Sequence, residues 1–124
     1  MNKYANDFRE LEIYKKSKEI VLKIYSLTNK EKFSKDFALR EQIRRAGISI
    51  MSNIAEGFDR ASKKEFVVFL NYAKGSNGEV RAQLDIAQSV QYITDEEYEE
   101  LEEKLIINGK MISSMIRKMK EQIK

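Results

Sequence analysis

Three four-residue boxes limit how this chain can fold: Asp7 with Glu10, Ser62 with Glu65, and Thr94 with Glu97. In each, a short oxygen-bearing side chain stands three residues before a glutamate. That arrangement satisfies the unpaired N–H groups that open a helix. Behind each box, apolar residues recur every three or four positions, and no proline interrupts them. The pattern predicts an all-α chain, folded as an antiparallel up-down four-helix bundle in a single domain over residues 1–124.

The first helix is expected from about Asp7 to Asn29, with Ile13, Ile20 and Leu27 on its core stripe and Tyr14, Val21 and Ile24 beside them. Glu12 with Lys16 and Glu19 with Lys23 lie on the opposite face at i,i+4. The polar stretch from Asn29 to Asp36 reads as a loop. The second helix, from about Phe37 to Glu56, places Leu39, Ile43, Ala46, Ile50 and Ile54 toward the core. From Ala46 to Ala55 it carries no charge on any face. One bundle core covers one side of such a segment, so the other side calls for a partner. Gly57 suits the left-handed position just past a helix end.

Phe66 to Leu70, taken alone, is compatible with a buried strand. The Ser62 box and the continuation through Ala73, Asn77, Val80, Leu84 and Ala87 make it the start of a third helix. Gly75 and Gly78 sit inside that helix, one turn apart, and read as close helix packing; a phosphate loop would place its glycines before a helix. The fourth helix runs from Thr94 to the end through Tyr98, Leu101, Leu105, Asn108, Ile112, Met115 and Met119. Acidic residues fill its first turns, and Arg117, Lys118, Lys120 and Lys124 its last, both complementing the helix dipole.

Cysteine and histidine are absent. That excludes disulfides, Cys-ligated zinc, a thiolate nucleophile and a histidine base. Glu56 and Glu65 can approach across a turn, yet no partner base accompanies them. The chain is therefore expected to be no enzyme, with no catalytic residue, metal site or cofactor. Residues 1–7 contain no apolar signal-peptide core, and Ala46–Ala55 is too short to cross a bilayer. With the missing cysteines, this points to the cytoplasm and to no membrane partner.

The net charge of +3 hides an asymmetry. Asp95, Glu96, Glu97, Glu99, Glu100, Glu102 and Glu103 concentrate seven carboxylates in nine residues, leaving 23 basic side chains against 13 acidic ones elsewhere, a balance of +10. Arg40, Arg44, Arg45, Arg60, Lys63 and Lys64 cluster on the second helix, the following turn and the start of the third. They are the candidate contacts to nucleic-acid phosphates, RNA or DNA, and the absence of a reader motif makes such contact backbone-directed. Asn53 and Glu56 read as scaffold: Asn53 bonding across the bundle, and Glu56 closing the turn around Gly57. Counting outward from that turn sets Glu79 opposite Arg44 and Arg45 and predicts an ion pair there.

Three stretches carry a resemblance. They are Phe8-Arg9-Glu10-Leu11-Glu12-Ile13-Tyr14-Lys15-Lys16, the segment from Gln42 to Phe58 containing Ser52-Asn53-Ile54-Ala55-Glu56-Gly57, and Ser62-Lys63-Lys64-Glu65-Phe66 with Phe69-Leu70, Gly75-Ser76 and Glu79. Together they resemble the four-helix-bundle family of bacterial proteins encoded in intervening sequences of 23S rRNA genes. That family is related to the accessory variability protein of diversity-generating retroelements. The resemblance implies the fold and a homopentameric ring. It also implies nucleic-acid binding and a reverse transcriptase or other protein as partner. Members commonly have proline where Met51 stands and a larger residue where Gly78 stands. The alternative is an oligomeric protein–protein adaptor or scaffold with no nucleic-acid ligand.

Overall fold

The computed structural model describes residues 5–123 and is all-helical over them. Residues 1–4, part of the 1–7 stretch without an apolar signal-peptide core, and Lys124, expected in the last turn of the fourth helix, lie outside the described residues. The helices are α1 (Glu12–Thr28), the short α2 (Glu31–Lys35), α3 (Phe37–Phe58), α4 (Lys63–Ser89) and α5 (Asp95–Glu121). The four long ones form an antiparallel bundle in which α1 packs on α3, α3 on α4, α4 on α5 and α5 back on α1. One hydrophobic cluster fills its centre, with Ile20, Ile50, Ile54, Phe66, Leu70, Leu84, Leu101, Leu105 and Ile112 wholly withdrawn from water. Each such side chain contributes about 1.5–3 kcal/mol on burial.

Two of the three expected boxes close reciprocally and the third on one side. Thr94 accepts from the Glu97 N–H while the Glu97 carboxylate accepts from the Thr94 N–H, and Ser62 accepts from the Glu65 N–H. The Asp7–Glu10 box also forms, but it caps a single 3-10 turn, Phe8–Glu10, rather than the first long helix. The backbone straightens at Leu11, whose side chain is buried, and α1 begins after it.

The stretch from Asn29 to Asp36 is not the open loop its polarity suggested. Phe33 drives the difference: α2 lets this one aromatic leave water completely, with its ring 5.3 Å from that of Tyr92. Asp36 then holds the next junction. One carboxylate oxygen accepts from the Leu39 N–H at 3.1 Å, capping α3, and the other accepts from the Tyr92 hydroxyl at 2.9 Å.

Gly57 does not adopt the left-handed conformation expected of it. It lies inside α3, which continues to Phe58 and ends on Asp59 with φ −79°. Glycine is needed there for closeness, since a Cβ would fall 2.7 Å from the Cβ of Phe69 and 2.9 Å from the Phe66 ring. Among the described residues the left-handed position belongs to Gln91 (φ 64°), after α4. The N–H of Tyr92 donates to the Ala87 carbonyl and that of Gln91 to the Gln88 carbonyl, both at 2.9 Å. This is a Schellman turn with glutamine where glycine is usual.

Gly75 and Gly78 are not packed closely on another helix either: a Cβ at either would meet nothing within 4 Å. Close approach belongs instead to Gly57 and to Gly47, where a Cβ would sit 2.6 Å from the end of Ile24 on α1.

A polar chain crosses the apolar interior. Asn77 on α4 donates to the Leu105 carbonyl (2.9 Å) and to Oδ1 of Asn108 on α5 (3.0 Å). Asn108 donates to the Ser17 hydroxyl on α1 (3.0 Å), and Ser17 donates to the Ile13 carbonyl (2.7 Å). All three side chains are buried, and the chain joins three helices. Polar groups this deep stay satisfied because an unpaired one is costly.

Candidate functional site

The six cations expected to meet phosphates do not form one free face. Arg40 donates to the Ser34 carbonyl, pairs with Glu41 and lies over the Phe37 ring. Arg44 turns toward α1, donating to Thr28 Oγ1 at 2.8 Å and Asn29 Oδ1 at 3.1 Å, with its guanidinium 4.5 Å from the Tyr25 ring centre. Arg60 pairs with Glu56 and stacks over Phe69. Arg45, Lys63 and Lys64 remain uncommitted.

The scaffold residues are partly rearranged as well. Asn53 bonds within its own helix, donating to the carbonyl (2.8 Å) and hydroxyl (3.0 Å) of Ser49. The bond that crosses from α4 to α3 is made by the Ser76 hydroxyl, donating to that of Ser49 at 2.9 Å. Glu56 pairs with Arg60 in the turn that follows Gly57, both side chains being exposed. Glu79 forms no ion pair with Arg44, which faces the other flank of α3. Glu79 and Arg45 instead border one open α3/α4 groove of 620 Å³, together with Phe37, Glu41, Gln42 and Gln83. One cation against two carboxylates makes that groove a poor seat for an anion.

A second groove, of 590 Å³, runs between α4 and α5, and its character is different. Lys74 and Arg81 rise from α4; Lys110, Ser113 and Arg117 rise from α5. The paired Gly78 and Gly109 leave the space between them open, and Asn77 forms part of the floor. No carboxylate lines it. Glu102, outside the lining, accepts from Arg81 Nε and Nη2 at 3.0 Å each and holds that guanidinium above its ordinary pKa. Among the described residues, Lys74, Lys110 and Arg117 have no acidic partner. These residues were missed in the sequence, although Lys74 with Arg81 and Lys110 with Arg117 each recur at i,i+7, the spacing of one helix flank.

Elsewhere the acidic first turns of α5 reach back to α1 and the loop after it. Lys30 pairs with Glu97 and Lys23 with Glu100. The Lys30 ammonium, helped by the Thr94 N–H, holds the Glu97 carboxyl below the usual glutamate range. The acidic run thus acts as cap and ion-pair partner. No cluster of three or more metal-ligating side chains occurs among the described residues, and no helix there is long and apolar enough to cross a membrane.

Comparisons with known proteins agree with this architecture. A crystal structure of a protein of unknown function from the S23 ribosomal protein family of Bacteroides thetaiotaomicron superposes with a TM-score of 0.77 at 31% identity. The match covers 84% of this chain and 97% of that one. No curated protein matches the chain. The sequence profile of the 23S rRNA-intervening sequence proteins matches residues 9–114. With that match spanning most of its length, the chain belongs to the 23S rRNA-intervening sequence protein family.

Proposed function

We propose that this protein is a non-enzymatic assembly module that works as a homo-oligomeric ring. The observation that carries the reading is a pair of separate apolar faces left in water. On α4 and its C-terminal cap, Val68, Tyr72, Ile86 and Val90 are each between 45% and 57% exposed. With Gly75 and Ala82 between them they recur at helical spacing, and Glu79 is the one charge in the row. On the α1/α3 side, Leu22, Tyr25 and Ile48 form a second exposed set. Apolar surface of this extent is characteristic of a protein that has a partner. Two different faces, rather than one self-complementary patch, suit a head-to-tail contact, which closes into a ring when the rotation permits. A ring of five is the number we propose, and the family resemblance supports it.

Sedimentation equilibrium at micromolar concentration tests the assembly. Tyr72→Lys with Ile86→Lys, and separately Leu22→Lys with Ile48→Lys, should each dissolve the ring to monomers. Mixed together, the two double variants should form a one-to-one pair, because each keeps the face the other lost. A monomeric parent protein would refute the reading, and a stable two-fold dimer would refute the ring. Nucleic-acid binding through Arg45, Lys63 and Lys64 is the second reading. It is the weaker one because Arg40, Arg44 and Arg60 are engaged within the chain.

A further inference from the structure

The geometry points to the α4/α5 groove as a binding site for a ligand carrying two or more phosphate groups. The groove has this character in a single copy of the chain, whether or not the chain assembles. Its polar lining consists mainly of hydrogen-bond donors, and its charge is wholly positive. Lys74 and Arg81 are seven residues apart on one wall, as are Lys110 and Arg117 on the other, so each pair spans about 10 Å along its helix. That is longer than a single phosphate, and the cations can therefore grip successive ones.

Arg81 keeps part of its capacity. Glu102 occupies Nε and Nη2, which leaves the two N–H bonds of Nη1 for another acceptor. Arg117 offers an unoccupied planar fork, the geometry that suits phosphate oxygens. The two glycines supply the access: a Cβ at Gly78 meets nothing within 4 Å, and the nearest atoms to one at Gly109 are those of Asn77, at ordinary contact distance from 3.7 Å. Ile106, about a third exposed at the rim, gives an apolar edge against which a sugar or base can rest. The ligand has a preferred end, since Glu102 biases phosphates toward Lys74, Lys110 and Arg117.

Fluorescence anisotropy with a labelled mixed-sequence single-stranded RNA, over a salt series, tests the site. ATP and inorganic tripolyphosphate serve as unlabelled competitors. The parent protein should bind at low salt. Lys110→Gln with Arg117→Gln should weaken binding tenfold or more, and each lost phosphate contact should flatten the slope of log K against log salt by about 0.7. Gly78→Met adds bulk without charge where there is open space. It should melt no lower than the parent and still lose binding to the same degree. Lys63→Gln with Lys64→Gln should change little. Displacement by ATP or tripolyphosphate assigns the site to small phosphorylated ligands, and resistance to both assigns it to a strand. Three results overturn the proposal: no binding of any probe at low salt, full binding by either groove variant, or an equal loss in the Lys63/Lys64 variant, which would mean diffuse surface charge.

Discussion

Replacing Asn108 by leucine isolates what the buried polar chain contributes. Leucine approximates the shape of asparagine, so the cavity term is small. The damage is specific: Asn77 keeps its bond to the Leu105 carbonyl but loses the Asn108 oxygen, stranding one N–H in an interior where Asn77 is only 5% exposed. A stranded buried donor costs about 1–3 kcal/mol. Ser17 is less affected, since its hydroxyl still donates to the Ile13 carbonyl. Asn77→Leu orphans the other end, the Oδ1 of Asn108, at a similar cost. The double variant leaves neither orphan, so both penalties lift and its destabilisation should fall short of the sum of the singles by about 2–6 kcal/mol. Urea unfolding of the four proteins supplies the cycle. All must be measured at one protein concentration, because association adds to apparent stability. Additivity within about 0.5 kcal/mol would refute the claim that these asparagines act as one unit.

Three further outcomes are expected. Gly57→Ala should destabilise by about 1–3 kcal/mol, because Phe66 and the Phe69 stem must shift, whereas Gly78→Ala should stabilise by about 0.5–1 kcal/mol, having only helix propensity to change; thermal melts compare them. Gln91→Gly should raise stability by about 1 kcal/mol by relieving the left-handed glutamine, and no gain in the same melts would count against strain there. In an alkaline absorbance titration of the six tyrosines, Tyr92 and Tyr98 should ionise late. The bond to Asp36 holds the Tyr92 phenol above its usual range, and burial does so for Tyr98. Both favour the neutral form, so their contribution is complete below the ordinary tyrosine pKa and fades as pH rises through the raised values; Asp36→Asn should return Tyr92 toward normal.

The long helices were legible because their signals are local. Period, cap and the absence of proline all lie within one segment, and α4 is a helix through Phe66–Leu70 for those reasons. What failed depended on distant atoms. The one-turn α2 has a single apolar residue and hence no period, so only an isolated Phe33 among polar neighbours hinted at it. Gly57 near a helix end looks like a left-handed cap, and the approach of Phe66 and Phe69 that explains it comes from the next helix. The cations show the same division. Their sign is written in the sequence, but Arg44 is engaged by Thr28 and Asn29, sixteen and fifteen residues away. The α4/α5 groove needed two glycines thirty-one residues apart to face each other, which no linear spacing announces.

The Asp36–Tyr92 bond makes the two ends of the bundle unequal for anyone who wishes to cut or lengthen the chain. At that end the connection entering α3 and the connection entering α5 are fastened to each other, with Phe33 and Tyr92 wedged between them. An insertion in either connection therefore disturbs both, and new termini placed there would free two helix junctions at once. At the opposite end the α3–α4 connection around Asp59–Ser62 is exposed and is held by Arg60 to its own flanking helices. A fused peptide, an affinity tag or the break point of a circular permutant belongs at Ala61, where the rest of the bundle does not feel it.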